Sequence, residues 1–126
     1  MTIDYWLKNS QDKYKTANSL FKSKRWADCL FFCHLSIESL LKAFVIKRTK
    51  KQAPYIHDLE RLAEIAELTL DDIKRNNLRN ITHFNLESRY PEIKFIFYKK
   101  VDKKFAEKYL NISKNIIIWL KKEMQK

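Results

Sequence analysis

The sequence predicts an all-α protein folded as one domain, and three observations carry that expectation. Glycine is absent from all 126 residues and proline occurs only at positions 54 and 91, so the tight turns that join strands lack their usual residues. Apolar side chains recur at the 3.6-residue period of a helix through most of the chain. The length suits a single domain, residues 1–126, with a core of its own.

Each helix has its own warrant. Ile3, Trp6, Leu7, Tyr14, Ala17 and Phe21 follow the helical period with charged and amide side chains between them, which predicts a first helix over residues 3–22. The basic turn Lys22-Ser23-Lys24-Arg25 separates it from a second run at Trp26, Leu30, Cys33, Ile37, Leu41 and Phe44, with a further apolar face at Phe31, Phe32 and Leu35. A helix apolar on more than one side has to be covered on several sides, at the centre of a bundle or by a second subunit, so a homodimer is expected. Residues 47–51, Lys-Arg-Thr-Lys-Lys, lead into Gln52-Ala53-Pro54 and predict a loop, because proline pushes its predecessor out of helical geometry.

Leu59, Leu62, Ala63 and Ala66 predict a short third helix. Thr69, with Asp72 three residues on, resembles a capping box for a fourth over residues 70–85, whose apolar positions Leu70, Ile73, Leu78, Ile81 and Phe84 are interrupted by Asn77. Pro91 forbids an uninterrupted helix across residues 88–97. Val101, Phe105, Tyr109, Ile112, Ile116 and Trp119 then form a final stripe, predicting a last helix over residues 101–124.

Charge and composition bound the partners. Lys and Arg total 26 against 15 acidic residues, a formal charge of +11, which argues for an anionic partner such as RNA, a nucleotide or an acidic protein. The chain opens Met1-Thr2-Ile3-Asp4 with no apolar stretch behind it, so neither signal nor anchor is expected and a cytoplasmic address follows. The most apolar segment, residues 30–46, is interrupted by His34, Glu38 and Lys42 and is shorter than the roughly 20 residues a bilayer crossing needs, so it reads as a buried helix. Cys29 and Cys33 stand one helical turn apart, which suits small core residues better than a disulfide. A zinc site using them with His34 lacks a second ligand pair at finger-like spacing, so neither metal nor cofactor is expected.

Three segments are together similar to the motifs of one protein family. The first is His34-Leu35-Ser36-Ile37-Glu38-Ser39-Leu40-Leu41-Lys42-Ala43, similar to the family helix that carries a histidine, a glutamate and a Lys-Ala pair near its end. The second is His57-Asp58-Leu59-Glu60-Arg61-Leu62, similar to its His-x-Leu-x-x-Leu opening of a helix. The third is Phe84-Asn85-Leu86-Glu87-Ser88-Arg89-Tyr90-Pro91, similar to its Arg-Tyr-Pro turn, followed by a helix ending Ile118-Trp119-Leu120-Lys121. With these segments the chain resembles the HEPN family of small prokaryotic helical proteins, and the resemblance implies an up-and-down four-helix bundle with an additional short helix, usually homodimeric. It also implies a small nucleotidyltransferase as partner in a two-component, toxin-antitoxin-like pair. Many other members cut RNA without metal, using an arginine and a histidine separated by four to six residues.

The residues that bear on such chemistry are His83 with Arg75 and Arg79. Three residues separate Arg79 from His83 and seven separate Arg75 from it, so neither meets the family spacing. Positions 75, 79 and 83 nonetheless share one helix face, where two cations and an imidazole can meet one phosphate. In that reading His83 takes the ribose 2′-hydroxyl proton and Arg79 holds the developing charge. The failed spacing favours the alternative, a solvated basic face with His83 at the helix end.

His34, Glu38 and Lys42 recur at intervals of four as one polar stripe, readable as a buried hydrogen-bonded network or as the wall of a nucleotide pocket with Lys42 near a phosphate. His57 reads as a contact at a helix start, without a site role. Arg89 and Tyr90, restrained by Pro91, either present a guanidinium and a phenol to a phosphate and a base, or cap the fourth helix and pack on the bundle end. The expected function is a nucleotide- or RNA-binding homodimeric partner of a small nucleotidyltransferase. A metal-independent endoribonuclease and a non-catalytic helical scaffold are the two alternatives.

Overall fold

The absence of glycine has a visible consequence at the helix ends. Left-handed backbone is taken up by Lys24, Lys50 and Glu67 at φ near 60°, where glycine would ordinarily sit. Arg25 N–H then reaches back to the Leu20 carbonyl and Leu68 N–H to that of Ala63, satisfying carbonyls that the helices leave open.

The computed structural model describes the backbone of all 126 residues and every side chain but that of Ser88. Among the described residues there are six α-helices and no strand: α1 Ile3–Lys22, α2 Trp26–Thr49, α3 Leu59–Ile65, α4 Asp72–Thr82, α5 Pro91–Lys100 and α6 Lys103–Met124, with a 3₁₀ turn at Leu86–Ser88 before α5. Thr2, Asp58, Asp71 and Asp102 cap α1, α3, α4 and α6 by accepting a backbone N–H from the first turn. The all-α expectation holds, and the first helix has the expected bounds.

Three boundaries differ from expectation. Helix α2 continues through Lys47 and Arg48 to Thr49, because basic side chains suit the negative end of a helix and Lys50 supplies the left-handed stop. The N-cap of α4 is Asp71, which accepts from Lys74 N–H, while Thr69 lies in the preceding loop. Pro91 does interrupt, but it also starts a helix: its fixed φ suits the first helical position, so α5 begins there, an element that the apolar period does not mark.

Helix α2 is the axis of the molecule and packs against each of the other five. Leu30, Ile37, Leu40, Leu41, Phe44 and Val45 are buried in one core with Leu59, Leu62, Leu78, Ile81 and Leu120. Cys29 and Cys33 sit free and buried against Ala17 and Leu110 on the α1 side. The face of α2 that carries Leu30, Ile37, Leu41 and Phe44 is thus covered within one chain, whereas Phe31, Phe32 and Leu35 on its second apolar face are only half-buried. Helix α2 is, at 24 residues, long and apolar enough to cross a membrane, so the length argument fails; its apolar window is 78% buried inside the bundle, which identifies it as a core helix. The densest run of exposed apolar side chains lies on α5, which buries no residue completely and leaves Ile93, Phe95, Ile96 and Tyr98 open to solvent.

Candidate functional site

The sequence from the end of α4 to the start of α5 folds back on itself. His83 is the C-terminal cap of α4 and donates its N–H to the Asn80 carbonyl at 3.1 Å. Asn85 Oδ1 accepts from Glu87 N–H at 3.2 Å and opens the 3₁₀ turn. Arg89 and Tyr90 are extended, as a residue before proline must be, and this directs the Arg89 side chain back over α4.

Arg89 Nη2 donates to His83 Nδ1 at 2.9 Å and to the His83 carbonyl at 3.0 Å. A guanidinium can only donate, so Nδ1 is the acceptor and the imidazole proton sits on Nε2. The pair therefore presents donors outward: His83 Nε2–H and the remaining N–H groups of Arg89. Beside it opens a cleft of about 290 Å³ whose walls are Leu86, Ile93, Ile96 and Phe97, with Lys100 at the rim. A positive edge over an apolar wall suits a ligand that carries both a phosphate and a flat apolar surface. Phe84 braces the floor, stacked among Phe97, Phe105 and Tyr109 with ring centroids 5.0 to 5.9 Å apart.

The other two arginines are turned elsewhere. Arg75 Nη1 lies 2.6 Å from Glu60 Oε2, and Arg79 grips the same carboxylate through Nε at 2.7 Å and Nη2 at 3.1 Å. The Arg79 guanidinium, then that of Arg75, hold the Glu60 carboxyl below its ordinary range, and Glu60 in turn raises Arg79. These contacts tie α4 to α3. The expected convergence of Arg75 and Arg79 with His83 on one phosphate is thus replaced by an Arg89–His83 pair. Sequence reasoning looks for the arginine before the histidine, whereas the partner follows it by six positions and arrives only because the Arg-Tyr-Pro turn reverses the chain.

Lys42 belongs to a second, inward-facing cluster. It is 4% exposed, and its Nζ lies 3.0 Å from Glu38 Oε2, between the rings of Trp6 and Tyr55 at 5.1 and 5.7 Å. Glu38 Oε1 accepts from His57 Nδ1 at 2.8 Å, and His34 Nε2 donates to the His57 carbonyl at 3.1 Å. Burial is the first cause that lowers the His34 pKa, and its Nδ1 is buried with no acceptor to receive a second proton, so the neutral form is favoured. The stripe is therefore a buried network that pins the 50–58 loop to α2, and the charge of Lys42 is spent on Glu38. His57, given no site role from sequence, is the loop's contribution; the N-cap of α3 is Asp58.

Arg89 does reach a carbonyl at the end of α4, as its capping alternative required, but Tyr90 does not pack on the bundle end: it is 77% exposed next to the cleft residues. Arg48, Lys50, Lys51 and Lys99 are exposed on the surface, and Lys100 lines the cleft.

The model of the HEPN domain matches residues 3–124. The chain belongs to the HEPN family. Two solved structures resemble this HEPN protein over nearly their whole length. TT1696 from Thermus thermophilus aligns with a TM-score of 0.79 at 16% identity, covering 95% of this chain and 96% of that one. ST0689, an archaeal HEPN homologue, aligns with a TM-score of 0.70 at 13% identity, covering 98% of each. At such identities the likeness speaks for the fold. No curated protein matches the sequence.

Proposed function

We propose that this HEPN protein is a homodimeric RNA- or nucleotide-binding partner of a small nucleotidyltransferase, in a two-component pair of the toxin-antitoxin kind. The observation that carries the binding half is the Arg89–His83 pair facing a cleft with an apolar wall and Lys100 at its edge. Guanidinium and Nε2–H donate to phosphate oxygens, Ile93, Ile96 and Phe97 cover the apolar face of a base, and exposed Tyr90 adds a stacking surface. The exposed apolar residues of α5 border the same cleft, which supports pairing of two copies along that helix. The nucleotidyltransferase partner is proposed by analogy with HEPN proteins that pair with such an enzyme, and membership of the family supports it.

A second reading, a metal-independent endoribonuclease, is favoured by one observation: a histidine and an arginine do meet. The arrangement supports it less well, because Nδ1 is occupied by Arg89 and Nε2 carries the proton, leaving His83 a donor where a base is needed. Purified protein incubated with single-stranded RNA in excess chelator separates the two. Binding without fragments, lost in Arg89→Ala and retained in Arg79→Ala, is the expected result. Fragments with cyclic phosphate ends that vanish in His83→Ala establish the nuclease instead, and binding unchanged in Arg89→Ala rejects the cleft.

A further inference from the structure

Helices α1 and α6 both lean on α2 and touch each other sparsely, so a groove is left open between them. It begins as a depression of about 620 Å³ beside Asp4, Leu7, Lys8 and Met124 and continues into one of about 220 Å³ beside Tyr14, Lys15 and Ile117. Ser10, Gln11 and Lys121 line both parts, which makes them one channel. Its end is fixed by Lys47, whose Nζ donates to the Met124 carbonyl.

The floor and the rim have opposite chemistry. The floor is Leu7, Leu40 and Ile117 with Ser10 and Ser36, and the two serines satisfy each other: Ser36 Oγ donates to the Ser10 carbonyl at 2.8 Å, and their hydroxyls lie 3.2 Å apart. The rim carries Lys8, Lys15 and Lys121, none of which forms an ion pair among the described residues, against Asp4 as the lone lining acid. The walls run along α1 from residue 4 to residue 15, three helical turns or about 16 Å.

We infer that this groove docks an acidic amphipathic helix of another protein, its aliphatic residues seated on the floor and its carboxylates meeting Lys8, Lys15 and Lys121. A second copy of this chain, itself at +11, would bring lysine against lysine. RNA phosphates would find the lysines, but the floor is aliphatic apart from two serines bonded to each other, and Tyr14 is the one aromatic side chain lining the groove on which a base could stack. An apolar floor with a cationic rim is instead the complement of a helix with leucines at positions i, i+3, i+4 and i+7 and glutamates on its flanks. The groove is lined by α1, α2 and α6, and so is separate in its residues from the Arg89–His83 cleft.

The test is a fluorescence-anisotropy titration with a labelled helical peptide of about four turns, leucine on one face and glutamate on the other. Expected are saturable binding, roughly tenfold or greater weakening in Lys8→Glu/Lys121→Glu, and little change in the charge-matched control Lys99→Glu/Lys103→Glu. The same peptide with serine for leucine should bind at least roughly tenfold more weakly, since the floor then contributes nothing. Equal affinity of the serine peptide, or indifference to the rim reversal, overturns the proposal. So does labelled oligouridine that displaces the leucine peptide and is itself lost in the rim variant, which makes the groove a nucleic-acid channel. Amide chemical shifts of Leu7, Gln11 and Ile117 locate the contact and verify that the variants are folded.

Discussion

Arg89 and Lys42 are both cations beside histidines, yet burial gives them opposite uses. Arg89 lies at the surface, where its spare donors can meet a ligand; Lys42 is enclosed, and its partner Glu38 is 7% exposed. Removing one member of a buried pair leaves the other uncompensated, so Lys42→Met should cost about 3–5 kcal/mol in urea unfolding, and Glu38→Gln added to it should restore much of that loss. A loss no larger than that of an exposed lysine would show that the pair is not buried in solution. His34 makes a prediction about pH. Its folded value lies below the ordinary 6.5, so above 6.5 both states hold it neutral and stability is complete. As pH drops below 6.5 the unfolded chain takes up a proton that the folded chain refuses, and stability falls by up to about 1.4 kcal/mol per pH unit until the folded value is reached. Urea midpoints of His34→Gln measured from about pH 7.5 downward should lack this part of the slope; an unchanged slope assigns it to other groups.

At the scale of elements, the sequence carried its message where periodicity was long and lost it where single residues decide. The α1 stripe from Ile3 to Phe21 set the bounds of that helix, because twenty residues of pattern leave little latitude. At the start of α4 the capping pattern pointed to Thr69, whereas the cap is Asp71, a choice that depends on where the chain leaves α3 through the left-handed Glu67. Asp71→Ala should lower stability by about 1 kcal/mol, read as the denaturant midpoint, while Thr69→Ala should leave it nearly unchanged. Equal effects would return the cap to the loop. Helix α5 was missed because a proline reads as a break, although at a first helical position it is a start. The candidate cleft depends on that helix, which supplies Ile93, Ile96, Phe97 and Lys100.

At the scale of the molecule, one central helix buries its main apolar face against the other five, and the densest run of exposed apolar side chains falls on α5. Phe95 is 61% and Ile96 51% exposed on that helix, next to the cleft. Pairing of two copies along α5 predicts that Phe95→Glu/Ile96→Glu yields a folded monomer by sedimentation with an unchanged circular dichroism spectrum, from a wild-type protein that sediments as a dimer. A monomeric wild type ends that reading. Tyr98 has its own tie, donating its hydroxyl to Asp28 at the start of α2, so α5 is anchored to the bundle even without a second copy.

The sequence by itself determined the helical class, the length of α1, the core role of α2 and the membership of the family, because periodicity and composition are properties of short stretches read in order. It also marked His83, Arg89 and Tyr90 as residues to watch. Only the tertiary structure decided which arginine His83 meets, because Glu60 on α3 takes Arg75 and Arg79 while a proline-restrained turn returns Arg89. The same holds for Lys42 and His57, whose partners lie on other elements: side chains that share a helix face are neighbours by sequence arithmetic, but the charge that neutralises them comes from wherever the fold brings it.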